Sequence, residues 1–188
     1  MSAPHRSHLV HLVRHGQAAH GWVDHPDPGL SEHGCLEAEA MAASLGTLGR
    51  RRLVTSPLLR CRQTARALED RWGVEAEKVS SVAEVPAPDL DGRMAWLQEA
   101  LRSKWSELPA QQQRWRQGVL GFVRSITEPA VVVTHFVAIN VVVGAALGRE
   151  EVVCITPGNC SVTTVEISDG QIRVVELPGG QDSEVLVR

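Results

Sequence analysis

The run from Ala130 to Leu147 constrains this chain most. It is apolar for most of its length, yet Thr134, His135 and Asn140 interrupt it, and polar groups there would be costly inside a bilayer. Its first five residues, Ala130-Val131-Val132-Val133-Thr134, are rich in β-branched side chains and suit a buried strand. Phe136 to Leu147 reads as a helix stopped by Gly148. A strand that passes directly into a helix is the repeating unit of an α/β sheet.

The same signals recur upstream. Leu9 to Val13 is a short apolar run that stops at Arg14-His15-Gly16, and a polar, turn-rich loop follows from Gln17 to Gly29. Ser31 can cap a helix carrying Leu36, Ala40, Ala43 and Leu45 at helical spacing. Arg52 to Thr55 reads as a second strand. Ser56 then stands as an N-cap with Pro57 at the first helical position, and the helix is expected to reach Trp72 and stop at Gly73. Val82 to Pro88 reads as extended, since Pro86 and Pro88 disfavour helix before them. Met94, Leu97, Leu101 and Trp105 predict one amphipathic helix, and Trp115, Val119, Phe122 and Ile126 another, with Pro109 between them. The tryptophans are assigned to core or lid packing. Ser161 to Ile167 and Ile172 to Leu177 flank Asp169-Gly170, a hairpin turn. The order predicts a three-layer α/β sandwich around a mostly parallel central sheet, with a small helical lid.

Composition narrows the function. With 188 residues, 43% of them hydrophobic, the chain is expected to form one domain over 1–188, with a lid insertion at about 85–118. Nineteen Lys and Arg against 22 Asp and Glu leave a net charge of -3, so bulk charge gives no case for nucleic acid. Four cysteines form no CxxC pair, and the polar start contains Pro4, His5 and Arg6 and has no leader pattern; a cytoplasmic protein with reduced thiols is expected. His5, His8 and His11 lie three apart, but alternation along a strand keeps them from converging on a metal.

Three groups fall at equivalent places: Arg14-His15 after the first strand, Arg60 on the helix after the second, and His135 after the third. Ligands of open α/β sheets bind outside the carboxyl ends of the strands, where these groups would meet. The helix starts near Pro57 and Phe136 add free N–H groups and positive dipole ends. Such a ring of positive groups suits a phosphoryl group.

The residues also resemble a family. Leu12-Val13-Arg14-His15-Gly16-Gln17 resembles the RHG motif of the histidine phosphatase, or phosphoglycerate-mutase-like, superfamily. Leu30-Ser31-Glu32-His33-Gly34-Cys35-Leu36-Glu37-Ala38 is similar to its L-[ST]-x-x-G-x-x-x-A helix start. Thr55-Ser56-Pro57-Leu58-Leu59-Arg60-Cys61-Arg62-Gln63-Thr64-Ala65 is similar to its S-P-L-x-R-x-x-Q-T-A segment. Val133-Thr134-His135 fits the late strand-end histidine, and Pro157-Gly158-Asn159-Cys160-Ser161 the Asn-containing stretch before the last strand. The matches come in family order from residue 9 to about 166.

The resemblance implies that His15 attacks phosphorus and becomes a phosphohistidine, with Arg14, Arg60 and His135 on the phosphoryl oxygens. His15 must be neutral for this, and Arg14, Arg60 and a helix end should lower its pKa. The resemblance places the proton donor on the lid side, where Glu84 stands best; Asp89 and Asp91 are the alternatives. Gln17, Phe136 and Asn159 are expected to bind substrate, while Arg62 and Arg66 read as solvated helix residues. Trp22, Arg93, Trp96 and Arg102 are the expected specificity wall. No cofactor or metal is called for, because the arginines supply the positive field. The reading is a metal-independent phosphatase of small phosphorylated metabolites, with no nucleic-acid or membrane partner and a homodimer left open. A mutase and a non-catalytic phosphate-binding module are the alternatives; Ala18 and Gly21, where mutases tend to carry Ser or Thr and Asn, favour hydrolysis.

Overall fold

A computed structural model of the chain describes residues 7–21, 25–87 and 90–179. The elements are β1 (His8–Arg14), α1 (Glu32–Leu45), β2 (Arg52–Thr55), α2 (Leu59–Trp72), β3 (Glu77–Lys78), α3 (Leu90–Ala100), α4 (Ala110–Ser125), β4 (Ala130–Thr134), α5 (Phe136–Leu147), β5 (Val162–Ser168) and β6 (Gln171–Glu176), all but β3 predicted from the sequence. The six strands form one sheet in the order β3-β2-β4-β1-β5-β6. The pairings of β3, β2, β4 and β1 are parallel, and the β5–β6 hairpin adds to β1 antiparallel. This is the mixed α/β sandwich that the order of elements predicted.

Strand alternation builds the three layers. In β4, Val131 and Val133 face the side covered by Ala38, Met41 and Leu45 of α1 and Cys61, Ala65 and Leu68 of α2. Ala130 and Val132 face the opposite side, against Val119 and Val123 of α4 and the valines of α5. All five residues of β4 are buried, which is why this strand shows no polar alternation. α5 is buried over most of its circumference for the same reason and ends at the left-handed Gly148. No helix among the described residues is long and apolar enough to cross a membrane.

Three details depart from the sequence expectation. α2 starts at Leu59 rather than at Pro57, and Ser56 does not cap it as the N-cap residue. The Leu58 N–H reaches Ser56 Oγ at 3.3 Å, and the Leu59 N–H donates to Asp27 Oδ1 at 2.8 Å. The helix carrying Met94 and Leu97 ends at Ala100, so Trp105 is not on it; Trp105 opens a short 3₁₀ turn because its N–H donates to the Glu150 carbonyl at 2.8 Å. β3 is an additional strand of two exposed residues. The stretch 85–118 holds α3, the turn at Trp105 and the first half of α4, so residue 118 falls inside a helix.

The strand ends line up. Arg14 pairs with Thr134 and Thr55 with Val133, so the residues after β1, β2 and β4 emerge side by side. The ladder runs one step further, with His15 N–H donating to Thr134 O and Ser56 N–H to Val133 O, both at 3.0 Å. His15 and Ser56 are thereby held by backbone hydrogen bonds at the carboxyl ends of their strands, beside His135, which follows β4 directly.

Candidate active site

His15 follows β1 and is 8% exposed. Its Nδ1 lies 2.8 Å from the Gly16 carbonyl, and its Nε2 accepts from Arg60 Nε at 3.1 Å. A carbonyl only accepts, so the proton sits on Nδ1 and the Nε2 lone pair is the one that Arg60 Nε meets. Burial holds the His15 pKa at about 3, with the Arg60 and Arg14 charges adding to it. The ring is neutral, as the sequence required, but its desolvation contributes more than the guanidinium charges do.

The turn after His15 is possible because two glycines meet. A Cβ on Gly16 would stand 2.6 Å from the Gly34 carbonyl oxygen, and one on Gly34 would stand 2.1 Å from that of Gln17. The start of α1 can therefore press against the loop that carries the imidazole. Thr64 of α2 accepts the Gly16 N–H at 3.0 Å, and Ser31 Oγ accepts from Gly34 at 3.0 Å as the cap of α1.

Arg60 joins the two imidazoles. It is 2% exposed, and besides His15 it donates through Nη2 to His135 Nδ1 at 3.1 Å. His135 must then carry its proton on Nε2, which lies 2.8 Å from Ser56 Oγ. The two rings meet edge to face with centroids 5.2 Å apart. Burial, then the charge of Arg60, lowers the His135 pKa well below the ordinary histidine value. Glu84 approaches the same pair, its Oε2 3.5 Å from His135 Nδ1 and 3.9 Å from Arg60 Nη2. Burial raises its pKa above the ordinary glutamate value. Burial thus favours the protonated carboxyl, while the one lone pair of His135 Nδ1 is already taken by Arg60.

Arg14 extends across the ring of Phe136, 5.4 Å from its centroid, and donates through Nη1 to the Pro157 carbonyl at 2.8 Å. Two buried donors meet no hydrogen-bond acceptor among the described residues here: Arg14 Nε and Arg60 Nη1. The nearest carboxylate oxygen to Arg60 Nη1, Asp27 Oδ1, is 3.9 Å away. Unsatisfied buried guanidinium N–H groups beside a neutral imidazole fit an anion with several oxygens.

These groups border a cavity of about 510 Å³. Arg14, His15, Gln17, Arg60, Glu84, Phe136 and Asn159 all line it. His135 is fully buried behind Arg60 and has protein partners on both ring nitrogens, so here it meets the cavity through Arg60 rather than as a direct donor. Gln17 lines the cavity too, but its amide oxygen accepts from Ser31 Oγ at 2.9 Å. Of the helix ends, α5 has no side-chain cap, whereas the first N–H of α2 is taken by Asp27. Asp89 and Trp22 lie outside the described residues, as does His5, and Asp91 stands at the second position of α3. Trp96 packs on the core, and neither it nor Arg93 nor Arg102 lines the cavity; Leu97 and Leu101 form that wall instead. Arg62 and Arg66 are exposed on α2, with Arg66 paired to Asp70 at 3.0 Å. Among the described residues no three His, Cys, Asp or Glu side chains group to hold a metal ion.

Asp27, Ser56 and Thr64 are the supporting residues that sequence reasoning missed as such. Ser56 and Thr64 stand inside the Ser-Pro motif, which could have flagged them; Asp27 has no local signal, since its partners on α2 lie more than thirty residues on.

The family model described as the histidine phosphatase superfamily (branch 1) matches residues 10–178. No curated protein matches the chain. Among solved structures, phosphoserine phosphatase from Entamoeba histolytica in complex with 3-phosphoglyceric acid aligns with a TM-score of 0.73 at 18% identity, over 92% of this chain and 98% of that one. The mycobacterial glucosyl-3-phosphoglycerate phosphatase in complex with VO3 aligns with a TM-score of 0.70 at 23% identity, over 91% and 98%. Mycobacterial hydrolase 2 aligns with a TM-score of 0.72 at 22% identity, over 92% and 91%. At these identities the likeness is one of fold.

Proposed function

The chain belongs to the histidine phosphatase superfamily (branch 1), and on that basis we propose that it is a metal-independent phosphatase that hydrolyses small phosphomonoesters through a phosphohistidine on His15. One observation carries the reading: a neutral imidazole, its Nδ1 held on the Gly16 carbonyl and its Nε2 turned to Arg60, borders a cavity lined also by Arg14 and Arg60, each of which keeps one buried guanidinium N–H without a partner among the described residues. Phosphatase activity in the fold neighbours that act on phosphoserine and on glucosyl-3-phosphoglycerate supports it.

The phosphoryl oxygens take Arg14 Nε, Arg60 Nη1 and the uncapped N–H groups at the head of α5. Arg60 Nε leaves His15 for an oxygen, which frees the Nε2 lone pair to attack phosphorus in line. The P–O bond to the alcohol breaks, and Glu84 gives the leaving oxygen its proton. The Nδ1–H bond to Gly16 O stabilises the positive charge that the ring gains. Glu84, now a carboxylate, takes a proton from water as the water oxygen attacks the phosphohistidine, and phosphate and neutral His15 are released. His135 works through Arg60, as its positioning partner.

Turnover of p-nitrophenyl phosphate with and without a chelator, in the wild type and in His15→Ala, tests this. Chelator-resistant turnover that vanishes in His15→Ala is expected, together with an acid-labile phosphoenzyme in the wild type alone. Turnover lost to the chelator, or retained in His15→Ala, overturns the proposal. Phosphoryl transfer to an added alcohol in place of release to water would move the reading to a mutase.

A further inference from the structure

The walls of the cavity divide by chemistry. The guanidiniums lining it among the described residues are those of Arg14 and Arg60, and the carboxyl is that of Glu84. Both guanidiniums are held at the phosphoryl end, Arg60 between the two imidazoles and Arg14 on the Pro157 carbonyl and the Phe136 ring. No lysine and no third arginine lines the cavity among the described residues. Its other walls are Leu97 and Leu101, Phe136 and Val137, and Ala18 and Ala19. Leu101 and Phe136 are half-buried, packed on the core and also bordering the cavity. The remaining polar lining, Gln17, His20 and Asn159, consists of hydrogen-bonding groups without a fixed positive charge.

Resting on the phosphatase reading, we infer that the natural ester is that of a neutral, largely apolar alcohol, and that esters with a second anionic group are discriminated against. A carboxylate on the alcohol would have to leave water for the wall of Leu97 and Leu101, where no cation among the described residues lines the cavity beyond the two arginines assigned to the phosphoryl group. An alkyl or aryl group would gain from the same burial. The volume of about 510 Å³ leaves room for such a group beside the phosphoryl, within the usual range of small-molecule sites.

The test is kcat/KM for n-alkyl phosphates from ethyl to hexyl, beside phosphoserine and 3-phosphoglycerate. In the wild type, each added methylene should raise kcat/KM by about fourfold until the wall is covered, and both anionic esters should fall at least about tenfold below butyl phosphate. Leu97→Asn combined with Leu101→Asn should cut the gain to about twofold or less per methylene, and Leu97→Arg should raise 3-phosphoglycerate relative to butyl phosphate by about tenfold. The wild-type series decides even where a variant does not fold. A flat alkyl series, or a preference for either anionic ester, overturns the substrate class while His15-dependent turnover stands. Absence of any His15-dependent turnover overturns the phosphatase reading and this inference with it.

Discussion

At the level of single residues, the site depends on groups held in their uncharged forms. The ordinary pKa of His15 is 6.5 and the fold holds it at about 3. Below the ordinary value the unfolded chain takes up a proton that the fold refuses, so the stability His15 contributes is present above 6.5 and is lost as the pH falls toward 3. The slope approaches about 1.4 kcal/mol per pH unit for one such group. His135, lowered in the same direction, adds to it. Glu84 is raised, so its contribution has the opposite sign: present below the ordinary 4.5 and lost as the pH rises through its folded value. Urea midpoints should therefore fall from about pH 7 to about pH 5, and fall less in His15→Ala; equal slopes in the two proteins would refute the assignment. Glu84→Gln tests the acid. It should slow alkyl phosphates by about 100-fold or more and p-nitrophenyl phosphate far less, because a phenolate leaves unaided. The alkaline limb of kcat/KM on an alkyl phosphate should also vanish in Glu84→Gln, with the substrate's own ionisation common to both proteins. Equal mild losses on both esters would transfer the role to another acid.

Among the elements, α2 matters most because Arg60 is its second residue. Asp27 holds the first N–H of that helix at 2.8 Å from across the loop after β1. Asp27→Ala should cost about 1 kcal/mol of stability and lower kcat/KM, whereas Asp27→Asn keeps an accepting oxygen and should recover most of the stability; a fully stable Asp27→Ala protein would rule out the cap. Gly34→Ala should be destabilised by about 1–3 kcal/mol in urea, since the new carbon would stand 2.1 Å from a backbone oxygen. The strands and most helix ends were legible in the sequence because their causes are local: β-branched runs, the cap at Ser31, glycines at helix ends, and Asp169-Gly170 at the hairpin. Two of the departures arise from distant partners, and the third from a strand without apolar residues. Asp27 reaches α2, the Glu150 carbonyl reaches Trp105, and β3 shows no hydrophobic pattern because both its residues are exposed. The same holds at the site: motif positions brought Arg14, His15, Arg60 and Glu84 to one cavity, whereas no periodicity told Leu97 and Leu101 from Trp96 as its wall.

For the molecule as a whole, β1 is the critical strand. It lies between β4 and β5, hydrogen-bonded on both sides, and ends in Arg14. Leu12, within this strand, is 1% exposed, and Leu12→Ala should lower the unfolding free energy by about 2–5 kcal/mol. Thermal loss of activity should then follow loss of the buried Trp105 signal, because the reacting groups and the core share this sheet; activity lost well before that signal would show the site opening by itself. The leucine wall has a different mooring. It belongs to the stretch beyond Pro86, which packs on the core through Leu101 and is hydrogen-bonded through the Lys104–Glu151 β-bridge and the Trp105–Glu150 contact rather than through a strand of the sheet. If the proposed chemistry holds, a descendant of this protein would change its diet by altering Leu97 or Leu101 and keep His15, Arg14 and Arg60 as they are, since taste and teeth are mounted on different parts of the frame.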